Sequence, residues 1–258
     1  MYVATESWLT RFFLVANVDY LPEVKSCPNE VVQRGKGEER PSGRRRLNAT
    51  GFLDTNVLAN WAFIDASLRK AKADRTVLFD ALPRYVPSYL LLERVRTEKR
   101  LQGILTTSQL AYAEILSVLV DQFVEEKMHS QGIAARLFQR EEHTIQLSPR
   151  DVEDIVKQLV HLSNEFFGPV HPYISYVGDE YDFREFTKMR IIVRTETYDA
   201  ILIATASYRK CRYFITEDVR LKDKIKNFNW VPMDVKVISV QEYLSILSQQ
   251  TKVRRKSS

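Results

Sequence analysis

Short apolar runs alternate with longer helix-like patterns from about residue 50 onwards, and this alternation constrains the fold more than any other feature. The expected strands lie at 49–53, 103–106, 212–216 and 235–240, with a further candidate at 170–175. The expected helices lie at 57–72, 75–82, 88–100, 108–127, 148–167, 183–193, 197–208, 219–225 and 241–247. Strands separated by helices predict an α/β fold, with a mainly parallel central sheet covered by helices on both faces.

The chain divides into three parts by composition. Residues 1–49 are predicted to be a poorly ordered extension or linker, because 34–46 are charged and interrupted by Gly and Pro. Residues 50–247 form the predicted folded domain, with a helical insertion at about 125–195. Residues 248–258 are a basic tail: the net charge of +5 comprises +2 in residues 1–50, +4 in the last ten residues and −1 between them. Bulk basicity is therefore weak support for nucleic-acid binding.

Cysteine content and hydropathy predict a cytoplasmic protein without a membrane segment. Cys27 and Cys211 are isolated and are expected to be reduced thiols. No apolar run approaches the roughly 20 residues that span a bilayer. Residues 1–21 lack the basic start and small-residue cleavage pattern of a signal peptide.

Two acids follow buried strands. Asp54 comes directly after Phe52-Leu53, and Asp218 comes after the run that ends at Thr216. Ligands of α/β sheets bind outside the carboxyl ends of strands, which makes both acids candidates for a site. Either side chain could instead cap the helix that follows it, and Glu217 competes with Asp218 for the second position.

Two further acids stand in otherwise apolar helices. Helical spacing puts Glu114 on one stripe with Leu110 and Val118, where a carboxylate is costly unless it is paired or bound to metal. Its alternatives are a buried ion pair or a stripe edge that reaches solvent. Asp199 begins the apolar segment 199–206, where the helix dipole alone could stabilise the anion.

Taken together, these carboxylates predict a cation site. Clustered carboxylates repel one another, and a divalent cation relieves that repulsion. Hard oxygen ligands suit Mg²⁺ or Mn²⁺.

Four segments in this order resemble the PIN-domain family of nucleases. They are 52–58 (FLDTNVL), 106–116 (TTSQLAYAEIL), 197–206 (TYDAILIATA) and 213–221 (YFITEDVRL). The resemblance covers roughly residues 50–247 and leaves the first fifty unexplained.

The resemblance implies a PIN-like three-layer sandwich and a divalent-metal-dependent endoribonuclease that hydrolyses RNA phosphodiester bonds. It implies that the catalytic and metal-binding acids are Asp54, Glu114, Asp199 and Asp218, the last directly or through water, with Asn56 and Thr216 in support. Relatives include toxins of toxin–antitoxin pairs and enzymes that process ribosomal RNA. The implied partners are RNA, a cognate antitoxin and a second copy of the chain.

Some features depart from the family pattern, and other readings stay open. The chain is longer than small toxins between Asp54 and Glu114 and again between Glu114 and Asp199. Glu93 rivals Glu114, although its neighbours Arg94 and Arg96 favour an ion pair. The main alternative function is a PIN-fold binding or scaffold module without nuclease activity. A phosphatase or nucleotide-binding protein is less favoured, because no Walker-type loop occurs and no acid lies two residues after Asp54.

The four histidines do not indicate a metal site. His129, His143, His161 and His171 all fall in the predicted insertion and lack metal-site spacing with the two cysteines. They are interpreted as surface or packing residues.

Overall fold

The computed structural model describes residues 50–71, 75–168, 173–228 and 230–256, so the extension predicted at 1–49 lies outside the described residues. Within the described ranges, five strands form one sheet: β1 (Gly51–Leu53), β2 (Leu105–Ser108), β3 (Ser175–Val177), β4 (Tyr213–Ile215) and β5 (Lys236–Ile238). Every pair of neighbouring strands is parallel. The predicted α/β class with a parallel sheet is confirmed.

Helices connect the strands and cover the sheet. Before β2 come α1 (Thr55–Ala71), α2 (Arg75–Ala81) and α3 (Val86–Thr97), and after it come α4 (Gln109–Ser130), the short α5 (Phe138–Glu141) and α6 (Pro149–Phe166). Between β3 and β4 lie α7 (Phe183–Thr187), a π-helical turn (Lys188–Val193) and α8 (Thr197–Tyr208). The chain closes with α9 (Val219–Asn227) and α10 (Val240–Lys256).

The strand order sets where a ligand can bind. The sheet runs β3-β2-β1-β4-β5, so the chain winds outward from β1 to β3 and then returns to the other side of β1. The winding direction therefore reverses between β1 and β4, and a crevice outside their carboxyl ends is the usual ligand site of such sheets. Asp54 and Thr216 are the first residues after these two strands.

Gly51 is required by close packing at the centre of the sheet. A Cβ atom there would lie 2.6 Å from Ile215 Cδ1 and 3.0 Å from Leu105 Cδ2, which is inside van der Waals contact. Apolar side chains of the two flanking strands thus lie directly against the backbone of β1.

Alternating strand residues build two cores, one on each face of the sheet. Leu53 and Ile215 join a large core formed with α1, α3, α4, α6 and α10. Phe52 and Phe214 face the other way, stack with ring centroids 5.8 Å apart and join a smaller core with α8 and the π-helical turn. Side chains alternate between faces with a period of two, so three-residue strands suffice to connect both layers.

Helix α1 is buried almost all round, as expected for a helix this apolar. It packs against α3, α4 and α6, and Trp61 is completely buried at its centre. The indole ring meets Phe166 edge-on at 4.7 Å, and its N–H donates to Glu93 Oε1 at 3.1 Å. On this face of the sheet, α1 is therefore itself covered by other helices.

Two helix starts match their sequence signals. Ser108 caps α4 by accepting from the Ala111 N–H, and Ser148 forms a reciprocal capping box with Asp151 at the start of α6. The segment expected as a helical insertion contains helices, but it also supplies β3, the edge strand beside β2. In the described part of the chain, none of the helices is both long enough and apolar enough to cross a membrane.

Candidate active site

Asp54 lies at the centre of the carboxyl edge and is 3% exposed. Its Oδ1 accepts from the Thr55 N–H at 2.8 Å, while Oδ2 accepts from the Thr216 hydroxyl at 2.5 Å and from Asn56 Nδ2 at 3.4 Å. Burial raises the pKa of Asp54 to about 6, the Thr216 hydrogen bond opposes that rise, and the nearby Glu114 carboxylate adds to it. The side chain is thus a restrained acid whose ionised form is disfavoured by burial.

Thr216 connects the ends of β1 and β4. Its buried hydroxyl donates to Asp54 Oδ2 and accepts from the Asp218 N–H at 2.9 Å. Asn56 and Thr216, expected in supporting roles, both contact Asp54 directly. A single hydroxyl therefore links the first acid to the backbone of the fourth.

Asp218 caps helix α9, which was the alternative reading of this residue. Its Oδ1 accepts from the Leu221 N–H at 3.0 Å. The half-buried carboxylate nevertheless lies close enough to Asp199 to raise the pKa of that residue. Capping uses one carboxylate oxygen and leaves the other available, so Asp218 can cap α9 and also contribute to the candidate site.

Asp199 occupies the first turn of α8 and is half-buried. Burial raises its pKa to about 7, followed in order of size by the carboxylates of Asp54, Asp218, Glu196 and Glu114. Among the described residues no hydrogen-bond donor contacts its carboxylate. Four other carboxylates therefore act together with burial to disfavour the ionised form of Asp199.

Glu114 reaches the same site from α4. Its Oε2 accepts from the Thr55 hydroxyl at 2.7 Å. The apolar stripe that Glu114 shares with Leu110 and Val118 is half-buried, with the two apolar side chains packed against the cores. The buried stripe of α4 lies one residue further along, at Ala111, Ile115 and Leu119. Glu114 stands at the stripe edge that reaches solvent.

Sequence reasoning missed two residues at this site. Thr55 donates its amide N–H to Asp54 and its hydroxyl to Glu114, and so connects two of the acids. The segment Asp54-Thr55-Asn56 supplied the candidates Asp54 and Asn56, but its middle residue was given no role at the site. Glu196, exposed at the N-cap of α8, adds a further negative charge beside Asp199.

Glu93 and Glu217 have other roles. Glu93 Oε1 accepts from the Trp61 indole N–H, and its Oε2 pairs with Arg96 at 2.8 Å. The ion pair expected for Glu93 is therefore present, but half-buried and made with Arg96 alone. Glu217 Oε1 accepts from the Val240 N–H at 3.0 Å, which joins the end of β4 to α10.

The donor set suits a hard divalent cation, although the carboxylates are not closed around a common point. Within the described residues, no three His, Cys, Asp or Glu side chains form a group that could hold a metal ion in their present positions. Charges interact over several ångströms, whereas Mg²⁺ needs oxygens at about 2.1 Å. Other carboxylates contribute to the raised pKa values of Asp54 and Asp199, and no cationic side chain appears among the causes. A bound cation would relieve this repulsion.

His161, His129 and one cavity beside Phe138 have surroundings that do not include the candidate acids. His161 Nε2 lies 3.1 Å from Asp65 Oδ2 and its ring stacks on Trp61, while His129 packs edge-on against Phe138. His171 is outside the described residues. A cavity of about 780 Å³ beside Phe138 contains none of the four carboxylates.

Comparison with known proteins adds no assignment. No protein-family model matches this chain, and no curated protein matches it. Functional inference therefore depends on the residues and on their geometry.

Proposed function

We propose that this chain is a divalent-metal-dependent endoribonuclease of the PIN-domain type. The observation that carries the proposal is a set of hydrogen bonds between segments that are distant in the sequence: Thr55 bonds both Asp54 and Glu114, and Thr216 joins Asp54 to the backbone of Asp218. Asp199 lies near enough for the three other acids to contribute to the rise of its pKa. Acids from β1, α4, α8 and the end of β4 thus share one region, although up to 164 positions of sequence separate them. The sequence order of these acids is the order in the PIN-like segments.

The strand order supports the same proposal. Asp54 and Asp218 follow the carboxyl ends of β1 and β4, where the winding of the parallel sheet reverses direction. A structural role alone does not account for them, since an uncompensated cluster of carboxylates lowers stability. Retention of such a cost is typical of functional sites.

The chain's own residues would position the reacting groups. Asp54, Glu114 and Asp199 would hold one or two cations, and Asp218 would complete the set with the oxygen that its cap leaves free. Thr216 and Asn56 restrain Asp54, and Thr55 restrains both Asp54 and Glu114, so their oxygens are held before substrate arrives. A bound Mg²⁺ or Mn²⁺ would neutralise charge on the phosphodiester and make a water molecule more acidic. No histidine is required as a general base.

The test is cleavage of end-labelled RNAs by the purified full chain with Mg²⁺, Mn²⁺ or EDTA. We expect cutting that requires a divalent cation and falls at least a hundredfold in Asp199→Asn. Asp223→Asn is the matched control, because Asp223 is exposed on α9 and undergoes the same change of charge and shape. This variant should cut like the wild type.

The opposite result would favour a PIN-fold binding or scaffold module. In that result, the wild type would cut structured and unstructured RNAs no faster than Asp199→Asn does, with either cation. A toxin of a toxin–antitoxin pair and an RNA-processing nuclease remain two contexts for the same proposed chemistry. They differ in whether an antitoxin covers the carboxylates.

A further inference from the structure

Two exposed apolar side chains directly adjoin the candidate acids. Tyr198 precedes Asp199 in the first turn of α8 and is 56% exposed, and Val219 follows Asp218 at the start of α9 and is 61% exposed. Ala200 in the first turn of α8 and Leu221 in the first turn of α9 belong to one core cluster, and Lys224 of α9 donates to the Arg194 carbonyl just before α8. The two helix starts that carry Tyr198 and Val219 are therefore packed together. The rim of the carboxylate site is therefore apolar at two points.

Exposed arginines flank these apolar residues. Arg194 precedes α8 in a left-handed conformation, with φ of 58°, and Arg220 lies in the first turn of α9. Both are exposed, and neither forms an ion pair with another described residue. Lys224 Nζ donates to the Arg194 carbonyl at 3.1 Å, which ties α9 to the segment that enters α8.

This arrangement matches the chemistry of an unpaired nucleic-acid strand. Proteins that bind single strands combine aromatic side chains, on which bases stack, with cationic groups that follow the phosphates. A base paired within a duplex keeps its faces stacked on its neighbours, whereas an unpaired base can turn its face to a tyrosine ring. The acids supply no attraction for a polyanion, so rim contacts are needed to bring a phosphate towards them.

We propose that Tyr198 is a positioning residue that stacks on a nucleobase next to the scissile phosphate and sets that phosphate against Asp199. The inference rests on the proposed function, since it assigns a contact for the substrate of the same site. It predicts that the strand is unpaired at the stacked position and that the loss of one base there removes the contribution of Tyr198.

A second exposed tyrosine on helix α8 serves as the control for Tyr198. Tyr208, at the other end of the helix, is 53% exposed, close to the value for Tyr198. Ten residues of helix place the two tyrosines about 15 Å apart along the axis. Tyr208→Ala therefore removes the same exposed ring from the same helix away from the acids.

The experiment measures KM and kcat for a single-stranded RNA with Tyr198→Ala, Tyr198→Phe and Tyr208→Ala. Stacking on one base corresponds to about 5- to 150-fold in affinity. We expect KM for Tyr198→Ala to rise by about tenfold or more, with a smaller change in kcat. Tyr198→Phe keeps the ring and should match the wild type, as should Tyr208→Ala. Equal loss in the two alanine variants, or no loss in Tyr198→Ala, overturns the inference.

A set of RNAs with one abasic position each locates the contact. At one position beside the cut, removal of the base should raise KM for the wild type and leave KM for Tyr198→Ala unchanged. Additive increases in KM at every position would refute stacking. If the wild type does not cut at all, the proposed nuclease function fails. RNA affinity measured by fluorescence anisotropy in EDTA then decides the Tyr198 contact separately, and equal affinities of Tyr198→Ala and Tyr208→Ala would exclude it.

Discussion

Replacing Asp54 by asparagine should stabilise the cation-free protein at alkaline pH. Asp54 is fully buried, and its pKa is raised from 3.8 to about 6, mainly by that burial. Each pKa unit corresponds to about 1.36 kcal/mol, so ionisation of this side chain costs the folded state about 3 kcal/mol. The amide substitution removes the charge and preserves the shape of the side chain.

The direction of the pH dependence follows from proton binding. Between about pH 4 and pH 7 the folded state holds the Asp54 proton more firmly than the unfolded chain does. Folding stability therefore falls as the pH rises through this range, and the cost is fully present above about pH 7. Below about pH 3 the proton is bound in both states, and this contribution disappears.

The Asp54→Asn substitution recovers only part of this ionisation cost, because it also changes the hydrogen bonds of the side chain. The amide nitrogen replaces one oxygen of a carboxylate that accepts from Thr55, Thr216 and Asn56. The Thr216 hydroxyl can rotate to accept, but Asn56 loses a weak acceptor. We therefore expect a gain of about 1–3 kcal/mol at pH 8, from the ionisation cost less the weakened hydrogen bonds.

Urea unfolding in EDTA at pH 5 and pH 8 measures this effect. The variant should have the higher midpoint at pH 8, an unchanged slope with urea and a smaller loss of stability between the two pH values. Asp223→Asn, which removes an exposed carboxylate, should show no such gain. A variant that is less stable than the wild type at pH 8 would refute the reasoning, because Asp54 would then be stabilised by its hydrogen bonds more than it is penalised by burial.

Three other perturbations have expected outcomes. Millimolar Mg²⁺ or Mn²⁺ at pH 8 should raise the thermal unfolding temperature of the wild type but not of Asp199→Asn, if the acids hold a cation. Thr55→Val removes the hydroxyl that contacts Glu114, and RNA cleavage should fall by about 10- to 100-fold while circular dichroism stays native-like. Gly51→Ala should lower the free energy of unfolding in urea by about 1–3 kcal/mol, because the new methyl group would meet Ile215 at 2.6 Å.

Much of the fold could be predicted from the sequence because its signals are local. Apolar periodicity located most helices to within a few residues, and Ser108 and Ser148 identified two helix starts. The last helix was expected at 241–247, but it continues through most of the predicted basic tail to Lys256. The positions of Asp54 and Asp218 after buried strands were also enough to place both acids at one edge. In a parallel sheet the carboxyl ends of all strands face the same side.

Other features were decided only by the tertiary structure. The order β3-β2-β1-β4-β5, which makes β1 and β4 neighbours, depends on contacts between distant segments. The edge strand β3, inside a segment expected to be a helical insertion, is defined by its pairing with β2 rather than by a strong local pattern. Short strands carry few residues, so their own sequence contains little of this information.

The candidate site also combines features that the sequence indicates with features that only tertiary packing reveals. Residue types and spacing made the four acids candidates, but they could not exclude Glu93, whose carboxylate is held by Trp61 and Arg96. Nor could they reveal that Thr55 joins Asp54 to Glu114 across 59 positions of sequence. Periodicity reports which side of an element faces the core, whereas side-chain partners depend on how separate elements pack. The sequence therefore determined which carboxylates were available, and tertiary packing decided which of them share one electrostatic field.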